Sequence, residues 1–278
     1  MQQGALKSNH KTRPFLKWPG GKYRLLDQIH TLLPAGKQLI EPFVGGGALF
    51  LNSAFDKYLL NDANVDLITL YQLLQKEGSH FIKVCRKYFS PKYNTEKNYY
   101  RLRLQFNAST DPTERSALFL FLNRHGFNGL IRYNAGKKEF NVPFGQYDQP
   151  YFPEKEMLIF HERSQNATFV CEDFSKTMAR ARKGSVVYCD PPYVPLNDTA
   201  NFTSYQAGGF SLEQQKHLGV LARALAKKGI PVLLSNHSNA FTQEIYQGAF
   251  IKEFMVQRSI SCKGQERNPV LELLALFG

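Results

Sequence analysis

An apolar run of the chain ends in an acid and two prolines at Val187-Tyr188-Cys189-Asp190-Pro191-Pro192-Tyr193. Apolar residues of this kind, several of them β-branched or aromatic, predict a buried strand. Pro191 has no N–H and biases Asp190 away from helical backbone, so the strand must stop there. The stretch therefore predicts a carboxylate at the carboxyl end of a strand, which is the edge where open α/β sheets bind their ligands.

A second predicted strand runs into a glycine-rich turn near the N-terminus. Gln38-Leu39-Ile40-Glu41 is followed by Pro42-Phe43-Val44-Gly45-Gly46-Gly47 and then by an apolar helix start. Glycines let the backbone approach a ligand closely, so we expect a nucleotide-cofactor loop here. Phe50 occupies the position where a dinucleotide fingerprint needs a third glycine or an alanine, which disfavours NAD and a dehydrogenase.

The next predicted strand also ends in an acid. Tyr58-Leu59-Leu60-Asn61 leads into Asp62, fifteen residues after Gly47. An acid at this place can accept hydrogen bonds from ribose hydroxyls. A nucleoside cofactor without a pyrophosphate therefore fits better than NAD. Further upstream, Gly20-Gly21-Lys22 stands at a predicted helix start and is a weak signal for anion binding.

The alternation of strands and helices is interrupted between residues 65 and 150. Helical spacing extends to about residue 123, and two β-like runs around a glycine turn then predict a hairpin over residues 123–145. This hairpin carries Arg, Asn, Lys and aromatic side chains together. Arg and Asn can read guanine and adenine edges, and aromatic groups can stack on bases or wedge between them. We interpret residues 65–149 as a mostly helical insert that reads DNA; an ordinary exposed hairpin is the alternative.

The α/β pattern resumes after residue 150. Ser211 to Lys228 predicts an amphipathic helix that begins with a capping-box-like pattern. A polar stretch at 194–210 predicts a lid over the acid at position 190. Strands are predicted at 167–171, 185–189 and 230–235, and two edge strands at 250–256 and 270–276, with a polar loop at 261–268.

Composition and charge limit the classes of function. The 278 residues carry a net charge of +12, and residues 1–37 and 65–150 each contribute +6, which fits nucleic acid as a partner. The four cysteines form no CxxC pair and have no histidine cluster beside them, so we expect no metal site. The N-terminus lacks the apolar core of a signal peptide, and no apolar run approaches the roughly 18 residues of a membrane span. We therefore expect a cytosolic protein without a membrane partner.

Three motifs occur in a fixed order: Phe15–Lys22, Pro42–Gly47 and Asp190–Tyr193. This order, with an insert between the second and third motif, resembles the alpha group of S-adenosylmethionine-dependent DNA adenine-N6 methyltransferases. Within that group, the segment from Asn123 to Gly145 resembles the Dam-type enzymes, which methylate adenine in GATC. The likeness extends from Phe15 to about Leu276.

The resemblance implies a fold class, a cofactor and a partner. The fold would be α/β: a Rossmann-like methyltransferase sheet with an inserted, mostly helical DNA-recognition domain that ends in a β-hairpin. Residues 1–64 and 150–278 would form the catalytic domain, and residues 65–149 the target-recognition domain. The cofactor would be S-adenosylmethionine, with S-adenosylhomocysteine as product and no metal. The partner would be double-stranded DNA, and we expect a monomer in the bacterial cytosol or nucleoid.

The resemblance also implies a role for each matching residue. Those implied to bind the cofactor are Trp18, Lys22, Phe43, Gly45, Gly47, Asp62, Asp173, Phe174 and Asp190. Those implied to bind DNA are Lys17, Arg124, Phe127, Leu130, Arg132, Asn134 and Pro143, with Phe127 as an aromatic wedge at the target site. The family pattern has tyrosines where this chain has His125 and Phe127, so Phe127 keeps a ring that can stack but has no hydroxyl.

The residues of the opening stretch suit methyl transfer to adenine. The N6 lone pair of adenine is delocalised into the ring, and the Asp190 carboxylate and the Pro191 carbonyl can each accept one N6–H to localise it. The target base must leave the duplex to be reached, and Tyr193 can stack on the flipped ring. The alternatives are an N-methyltransferase acting on RNA adenine or on a protein glutamine, an adenine methyltransferase with a DNA site other than GATC, and a catalytically dead DNA-binding protein. The RNA and glutamine families usually begin the tetrad with Asn and lack the Arg/Asn hairpin.

Overall fold

A mostly parallel sheet forms the centre of the protein in a computed structural model that describes residues 11–194, 210–257 and 269–278. The strands are β1 (Gln38–Glu41), β2 (Lys57–Asn61), β3 (Ala167–Val170), β4 (Ser185–Cys189), β5 (Val232–His237), β6 (Phe250–Val256) and β7 (Val270–Phe277). The seven strands lie in the order β3-β2-β1-β4-β5-β7-β6. Strands β1 to β5 pair in parallel, and β7 is antiparallel to both β5 and β6. The predicted α/β, Rossmann-like fold class is confirmed.

Helices cover both faces of this sheet. They are α1 (Leu26–Leu32), α2 (Ala48–Asn52), α3 (Val65–Glu77), α4 (Ser79–Arg86), α5 (Glu96–Ala108), α6 (Pro112–His125), α7 (Glu154–Arg163), α8 (Phe174–Ala179), α9 (Leu212–Ala226) and α10 (Ala240–Ile245). Successive strand residues face opposite sides, so Leu39 packs into the core with α1 to α7 and Ile40 into the core with α8 to α10. Within the described ranges, none of the helices has the length and apolarity that a membrane crossing requires.

Local sequence signals account for the ends of several elements. Helix α6 begins where Asp111 accepts the N–H of Glu114, with Pro112 in its first turn. Helix α9 begins with the predicted capping box between Ser211 and Gln214. Most of the predicted lid (195–209) and the polar loop at 261–268 lie outside the described residues.

The prediction of two edge strands is half wrong. Strand β6 is an edge, but β7 lies between β5 and β6. Leu273, Leu274 and Ala275 of β7 are buried, whereas Phe250 and Met255 of β6 are exposed. The continuous apolar run of β7 is typical of a strand covered on both faces, and this feature of the sequence could have separated the two.

The inserted segment shares its core with the sheet. Helices α3 to α6 contribute to the same buried cluster as Leu39 and Leu60. The Tyr71 hydroxyl of α3 donates to the carbonyl of Gly45, 2.7 Å away, so the first helix of the insert touches the glycine-rich loop. The division of the chain into a catalytic domain and a recognition domain stays a prediction.

The predicted hairpin after α6 is not a continuous β-ladder. Its arms run antiparallel, but only isolated bridges join them, between Tyr133 and Phe140 and between Gly126 and Phe144. A 3₁₀ turn at Phe127–Gly129 and the missing N–H of Pro143 interrupt the pairing. We call residues 126–145 the recognition loop.

Candidate active site

Asp190 lies directly after β4, at the carboxyl edge of the sheet, and two donors address one of its oxygens. The Lys22 ammonium lies 2.9 Å from Asp190 Oδ1, and the Ser235 hydroxyl donates to the same oxygen at 2.8 Å. Cys189 pairs with Leu234, so β4 and β5 bring Asp190 and Ser235 side by side. The arrangement holds the carboxylate in one orientation at the point where the strand order reverses between β1 and β4.

Tyr193 is fixed beside this ion pair. The Lys22 ammonium lies 4.5 Å from the centroid of the Tyr193 ring, and the Tyr193 hydroxyl donates to Glu272 Oε2 at 3.1 Å. His237 packs against the ring at 4.8 Å in an edge-on contact. Burial raises the pKa of Tyr193 well above its ordinary value, and the carboxylate of Asp190 adds to the shift, so the hydroxyl stays neutral and donates. Lys22 therefore links Asp190 to Tyr193, as expected for residues that share one site.

The glycine-rich loop, Trp18 and Asp62 form a cradle. Gly45 has φ +47° and Gly47 has φ +74°, backbone conformations that favour glycine. A Cβ on Gly45 would lie 2.7 Å from Trp18 Nε1, so the indole lies directly on the loop. Asp62 accepts the N–H of Gly45 at 3.0 Å and the N–H of Asn64 at 2.9 Å. Burial raises the pKa of Asp62 from its ordinary value.

An aromatic wall adjoins this cradle. The Phe43 and Phe174 rings stack with centroids 5.5 Å apart, and Phe210 closes the group at 5.4 Å from Phe43 and 5.2 Å from Phe174. Asp173 stands exposed at the start of α8, where its carboxylate accepts the N–H of Ser175 at 2.9 Å. The hydrogen bonds from Ser175 lower the pKa of Asp173, so it is ionised near neutral pH. An apolar ring surface beside a carboxylate suits a purine that carries an amino group.

Three acidic or hydroxyl side chains of this edge were not predicted: Glu41, Ser235 and Glu272. Glu41 ends β1, is 2% exposed, and its Oε1 has no hydrogen-bond partner within the described part of the chain. Burial raises the pKa of Glu41 well above its ordinary value, and Asp190 adds to this shift. Burial also raises the pKa of Glu272. Each acid stands in an apolar strand, which is the signal that could have identified it, since buried acids need a partner.

These observations fit the nucleoside cofactor that the sequence predicts. The three loop glycines present backbone without side chains, the phenylalanines offer ring surface, and Asp62 offers carboxylate oxygens. The unsatisfied Glu41 oxygen indicates a place for a cationic or hydrogen-bonding ligand. The residues predicted to bind the cofactor therefore gather along the carboxyl ends of β1, β2, β3 and β4.

The residues predicted to bind DNA form a second group, which is tied to the first through Lys17. The Lys17 N–H donates to Asn123 Oδ1 at 2.9 Å, and the Asn123 amide donates back to the Lys17 carbonyl at 2.7 Å. The Lys17 ammonium lies 4.0 Å from the centroid of the Tyr147 ring. Desolvation lowers the pKa of Lys17, and the nearby Arg124 guanidinium lowers it further. Two cations are thus held close together, an arrangement that a phosphate group would relieve.

The recognition loop presents several of the predicted residues to solvent. Phe127 is 49% exposed, and Arg132 and Pro143 are exposed. Leu130 is half-buried against the core. Asn134 is different, because its Oδ1 accepts the N–H groups of Lys137 and Glu139 at 2.9 Å and 3.3 Å. The side-chain oxygen of Asn134 therefore stabilises the turn.

Comparison with known proteins identifies the family. The family model described as D12 class N6 adenine-specific DNA methyltransferase matches residues 18–260. The chain belongs to this family. The DNA adenine methylases of Salmonella typhi and Escherichia coli K12 are 53% and 52% identical to it over 267 residues, which cover 96% of each chain. The DNA adenine methylase of Haemophilus influenzae is 52% identical over 277 residues, which cover 99% of this chain and 96% of the relative.

The family determines the class of reaction. The protein is a DNA methyltransferase specific for adenine N6, and the methyl donor of such enzymes is S-adenosylmethionine. Over the described ranges, no group of three His, Cys, Asp or Glu residues could hold a metal ion. A solved structure of precorrin 8w decarboxylase from Methanobacterium thermoautotrophicum is similar with a TM-score of 0.40 and 12% identity, covering 94% of this chain and 93% of the other, a distance at which the likeness supports no argument.

His125 of the methyltransferase lies in the core and not on the predicted DNA-binding surface. It is 1% exposed, and its ring stacks on Phe121 with centroids 4.0 Å apart. Its Nδ1 lies 3.0 Å from the carbonyl of Phe121. Burial lowers the pKa of His125 to about 4. The departure from the family's tyrosine at this position therefore affects packing and leaves the exposed surface unchanged.

Replacing His125 by Phe is expected to reduce the loss of unfolding free energy that occurs as the pH falls from 6.5 to 4. The unfolded imidazole titrates near 6.5 and the folded one near 4, so the unfolded state binds more protons between these values. Stability is fully present above pH 6.5 and falls as the pH drops towards 4, by about 2–3 kcal/mol for this group. Urea unfolding of both proteins at pH 7.5, 6, 5 and 4 measures the difference. Parallel curves for the two proteins would contradict a buried neutral histidine.

Proposed function

We propose that this methyltransferase flips an adenine out of double-stranded DNA, at GATC sites, and methylates its N6 at the Asp190–Tyr193 stretch. The observation that carries the proposal is the Lys22–Asp190 ion pair at 2.9 Å, which lies at the sheet edge beside the glycine-rich cradle. Trp18 of that cradle directly follows Lys17, which is hydrogen-bonded to α6, the helix that leads into the recognition loop. We expect the enzyme to act as a monomer in the bacterial cytosol.

We expect different residues of the cradle and its aromatic wall to contact different parts of the cofactor. Phe43 and Phe174 supply ring surface for its adenine, with Asp173 near enough to accept from the amino group. Asp62 accepts from ribose hydroxyls, and Gly45 and Gly47 let the backbone come close. Lys22 is suited to the carboxylate of the methionine part. When bound, S-adenosylmethionine supplies a methyl group on a sulfonium, which is electrophilic enough to need no metal.

Asp190 and Pro191 activate the target amine. The carboxylate and the Pro191 carbonyl each accept one N6–H, which localises the nitrogen lone pair and aims it at the methyl carbon. With the cofactor bound, the lone pair would take the methyl group from the sulfonium, which would leave as the neutral thioether, and Asp190 would accept the N6 proton to which it is hydrogen-bonded. Tyr193 stacks on the flipped base. Alignment of this kind can supply about 7–11 kcal/mol of the barrier reduction.

The recognition loop supports DNA as the substrate and a short specific site. Arg132 is exposed and can make a bidentate contact to guanine. Phe127 is exposed and can fill the space that the flipped base leaves. Lys17 and Arg124 add positive charge beside the loop.

A protection assay tests the proposal. The protein is incubated with S-adenosylmethionine and a GATC-containing duplex, which is then challenged with a nuclease that adenine methylation in that site blocks. We expect protection of this duplex, and full cleavage of the same duplex incubated with the protein but without S-adenosylmethionine. Quenching of Trp18, the only tryptophan of the chain, measures cofactor binding in the same samples. Unprotected GATC DNA under conditions of cofactor binding would refute the site.

Replacing Arg132 by Ala is expected to relax sequence preference. The guanidinium donates from Nε to Asn141 Oδ1 at 2.7 Å and more weakly from Nη2 to the Asn141 carbonyl at 3.4 Å, and the side chain is exposed to solvent. Loss of a bidentate contact costs about 1–3 kcal/mol of discrimination at one base pair. Methylation rates on GATC and on single-substitution duplexes measure the ratio. The control is Arg182→Ala, an exposed arginine before β4 at the opposite edge of the sheet. A uniform loss on all duplexes would mark Arg132 as a phosphate contact.

A further inference from the structure

Tyr133 lies between two predicted base-reading residues and points the opposite way. Its ring packs edge-on against Phe140, which is 1% exposed, with centroids 5.8 Å apart. Backbone hydrogen bonds flank it on both sides, from the Asn134 N–H to Glu139 and from the Asn141 N–H to Arg132. Alternate side chains of such extended backbone face opposite sides. Tyr133 is therefore an inward anchor between two residues of the reading surface.

The Tyr133 hydroxyl contacts a partly buried ion pair between Asp66 and Arg115. It donates to Asp66 Oδ2 at 2.6 Å. Arg115 donates to both oxygens of the same carboxylate, from Nε to Oδ1 at 2.5 Å and from Nη2 to Oδ2 at 3.2 Å. Asp66 is 7% exposed. Burial raises the pKa of Tyr133, so the hydroxyl keeps the proton that it donates.

Arg115 is itself held in place. Its Nη1 donates to the carbonyl of Phe106 at 2.8 Å, and its guanidinium lies 4.1 Å from the centroid of the Phe106 ring. The cluster of Asp66, Arg115 and Tyr133 thus joins α3, α6 and the recognition loop. The two-pronged contact of Arg115 fixes the orientation of the Asp66 carboxylate, and the Tyr133 hydroxyl ties the loop to that fixed carboxylate.

The opposite arm of the recognition loop is held at Phe140, the residue that faces Tyr133. The Asn107 side chain accepts the N–H of Phe140 at 2.8 Å and donates to its carbonyl at 3.1 Å. Tyr133 and Phe140 form the bridge between the two arms. Both arms are therefore hydrogen-bonded to helices at this bridge. Arg132, the residue before Tyr133, is exposed to solvent.

An ion pair whose carboxylate is buried, as Asp66 is here, contributes little net stability compared with apolar packing. Its cost in desolvation is consistent with a role in fixing one conformation. We propose that Tyr133, held by Asp66 and Arg115, is a positioning residue that determines sequence specificity by setting how Arg132 meets the base edges. This inference rests on the proposed role of Arg132 as a base reader.

Tyr133→Phe tests the inference because it removes one oxygen and keeps the ring. Methylation rates are measured, as kcat/KM, on the preferred duplex and on duplexes that differ from it by one base pair. We expect the ratio of preferred to altered duplexes to fall about tenfold, the effect of losing a hydrogen bond to a buried carboxylate. Cofactor affinity, read from Trp18 fluorescence, should stay within twofold of the wild type. An unchanged ratio, or an equal fall on every duplex, would overturn the proposal.

Tyr58→Phe is the matched control. Its hydroxyl is also buried and makes two hydrogen bonds, to the Ser53 carbonyl at 2.8 Å and from the Phe55 N–H at 3.0 Å. It lies at the start of β2, away from the carboxyl edge of the sheet. We expect it to lose stability as Tyr133→Phe does but to keep the full ratio. A similar fall of the ratio in this control would assign the effect to general loosening and overturn the proposal.

A second variant, Asp66→Asn, approaches the cluster from the other side. It should lower the same ratio, and the double variant should lower it no further than the stronger single one, because both remove one linkage. Independent, additive losses would overturn the proposal. If the wild type prefers a sequence other than GATC, the proposed site is wrong, and the Tyr133 test proceeds on the sequence that it does prefer. A wild type without any preference would overturn both.

Discussion

Replacing Asp190 by Ala is expected to lower methyl transfer by about a thousandfold while DNA binding persists. The carboxylate is held by Lys22 and Ser235, so its position does not depend on the substrate. Without it, one N6–H of the adenine has no acceptor and the lone pair stays delocalised. Single-turnover methylation at saturating S-adenosylmethionine measures the chemical step, and fluorescence anisotropy of a labelled duplex measures binding.

Two further variants make the Asp190 result specific. Asp56→Ala removes an exposed carboxylate before β2, and we expect it to methylate at the wild-type rate. Asp190→Asn keeps an acceptor oxygen and loses the charge, so its rate should lie between those of the wild type and Asp190→Ala. Turnover by Asp190→Ala equal to that of the wild type would refute the acceptor role. Loss of DNA binding in parallel with turnover would show that the residue acts on the fold of the site.

The strand ends of this site could be predicted because the signals are local. An apolar run stopped by Pro191, another stopped by Pro42, and a third ending in Asp62 each mark the end of a strand. Carboxyl ends of parallel strands meet at one edge, so the gathering of these residues follows once the sheet is parallel. Which strands lie next to each other is harder to predict, because strand order depends on contacts between segments distant in sequence. The placement of β7 between β5 and β6 is an example: in the sequence, only its continuous apolar run indicates a strand covered on both faces.

The contacts made by side chains distant in sequence could not be predicted. Lys22 was expected to hold an anion, but its partner Asp190 lies beyond the whole insert. The bond from Tyr133 to Asp66 depends on how α3, α6 and the recognition loop pack. The family pattern has a tyrosine at the position of His125, yet α6 buries this residue together with the apolar run at 117–122. A helix with such an apolar run is typically buried, so the burial of His125 could have been predicted from the sequence.

Lys17 and Trp18 connect the predicted DNA-binding surface to the predicted cofactor-binding surface. Lys17 is hydrogen-bonded through its backbone to Asn123 of α6, and Trp18 lies against the glycine-rich loop. A Cβ on Gly129 would overlap the Lys17 side chain, so the recognition loop also packs on this segment. The segment that carries Lys17 and Trp18 therefore contacts both the glycine-rich loop and the recognition loop.

Replacing Gly45 by Ala is expected to weaken S-adenosylmethionine binding at least tenfold. The added Cβ would lie 2.7 Å from Nε1 and 2.9 Å from Cδ1 of Trp18, so the indole must move off the loop. The φ of +47° adds backbone strain of about 1–2 kcal/mol. Trp18 is the only tryptophan, so its emission reports the displaced indole directly, and a cofactor titration followed at that wavelength gives the dissociation constant.

Gly248→Ala is the control that separates the steric clash with Trp18 from the backbone strain of a positive φ. Gly248 has φ +88°, and nothing lies within 4 Å of the position of an added Cβ, so this variant carries a similar backbone cost without a steric one. We expect both variants to melt at lower temperature, and only Gly45→Ala to change Trp18 emission and cofactor affinity. Equal losses of affinity in the two variants would assign the effect to global stability. Wild-type affinity in Gly45→Ala would mean that the cofactor does not need the contact between the indole and the loop, and the proposed cradle would have to be abandoned.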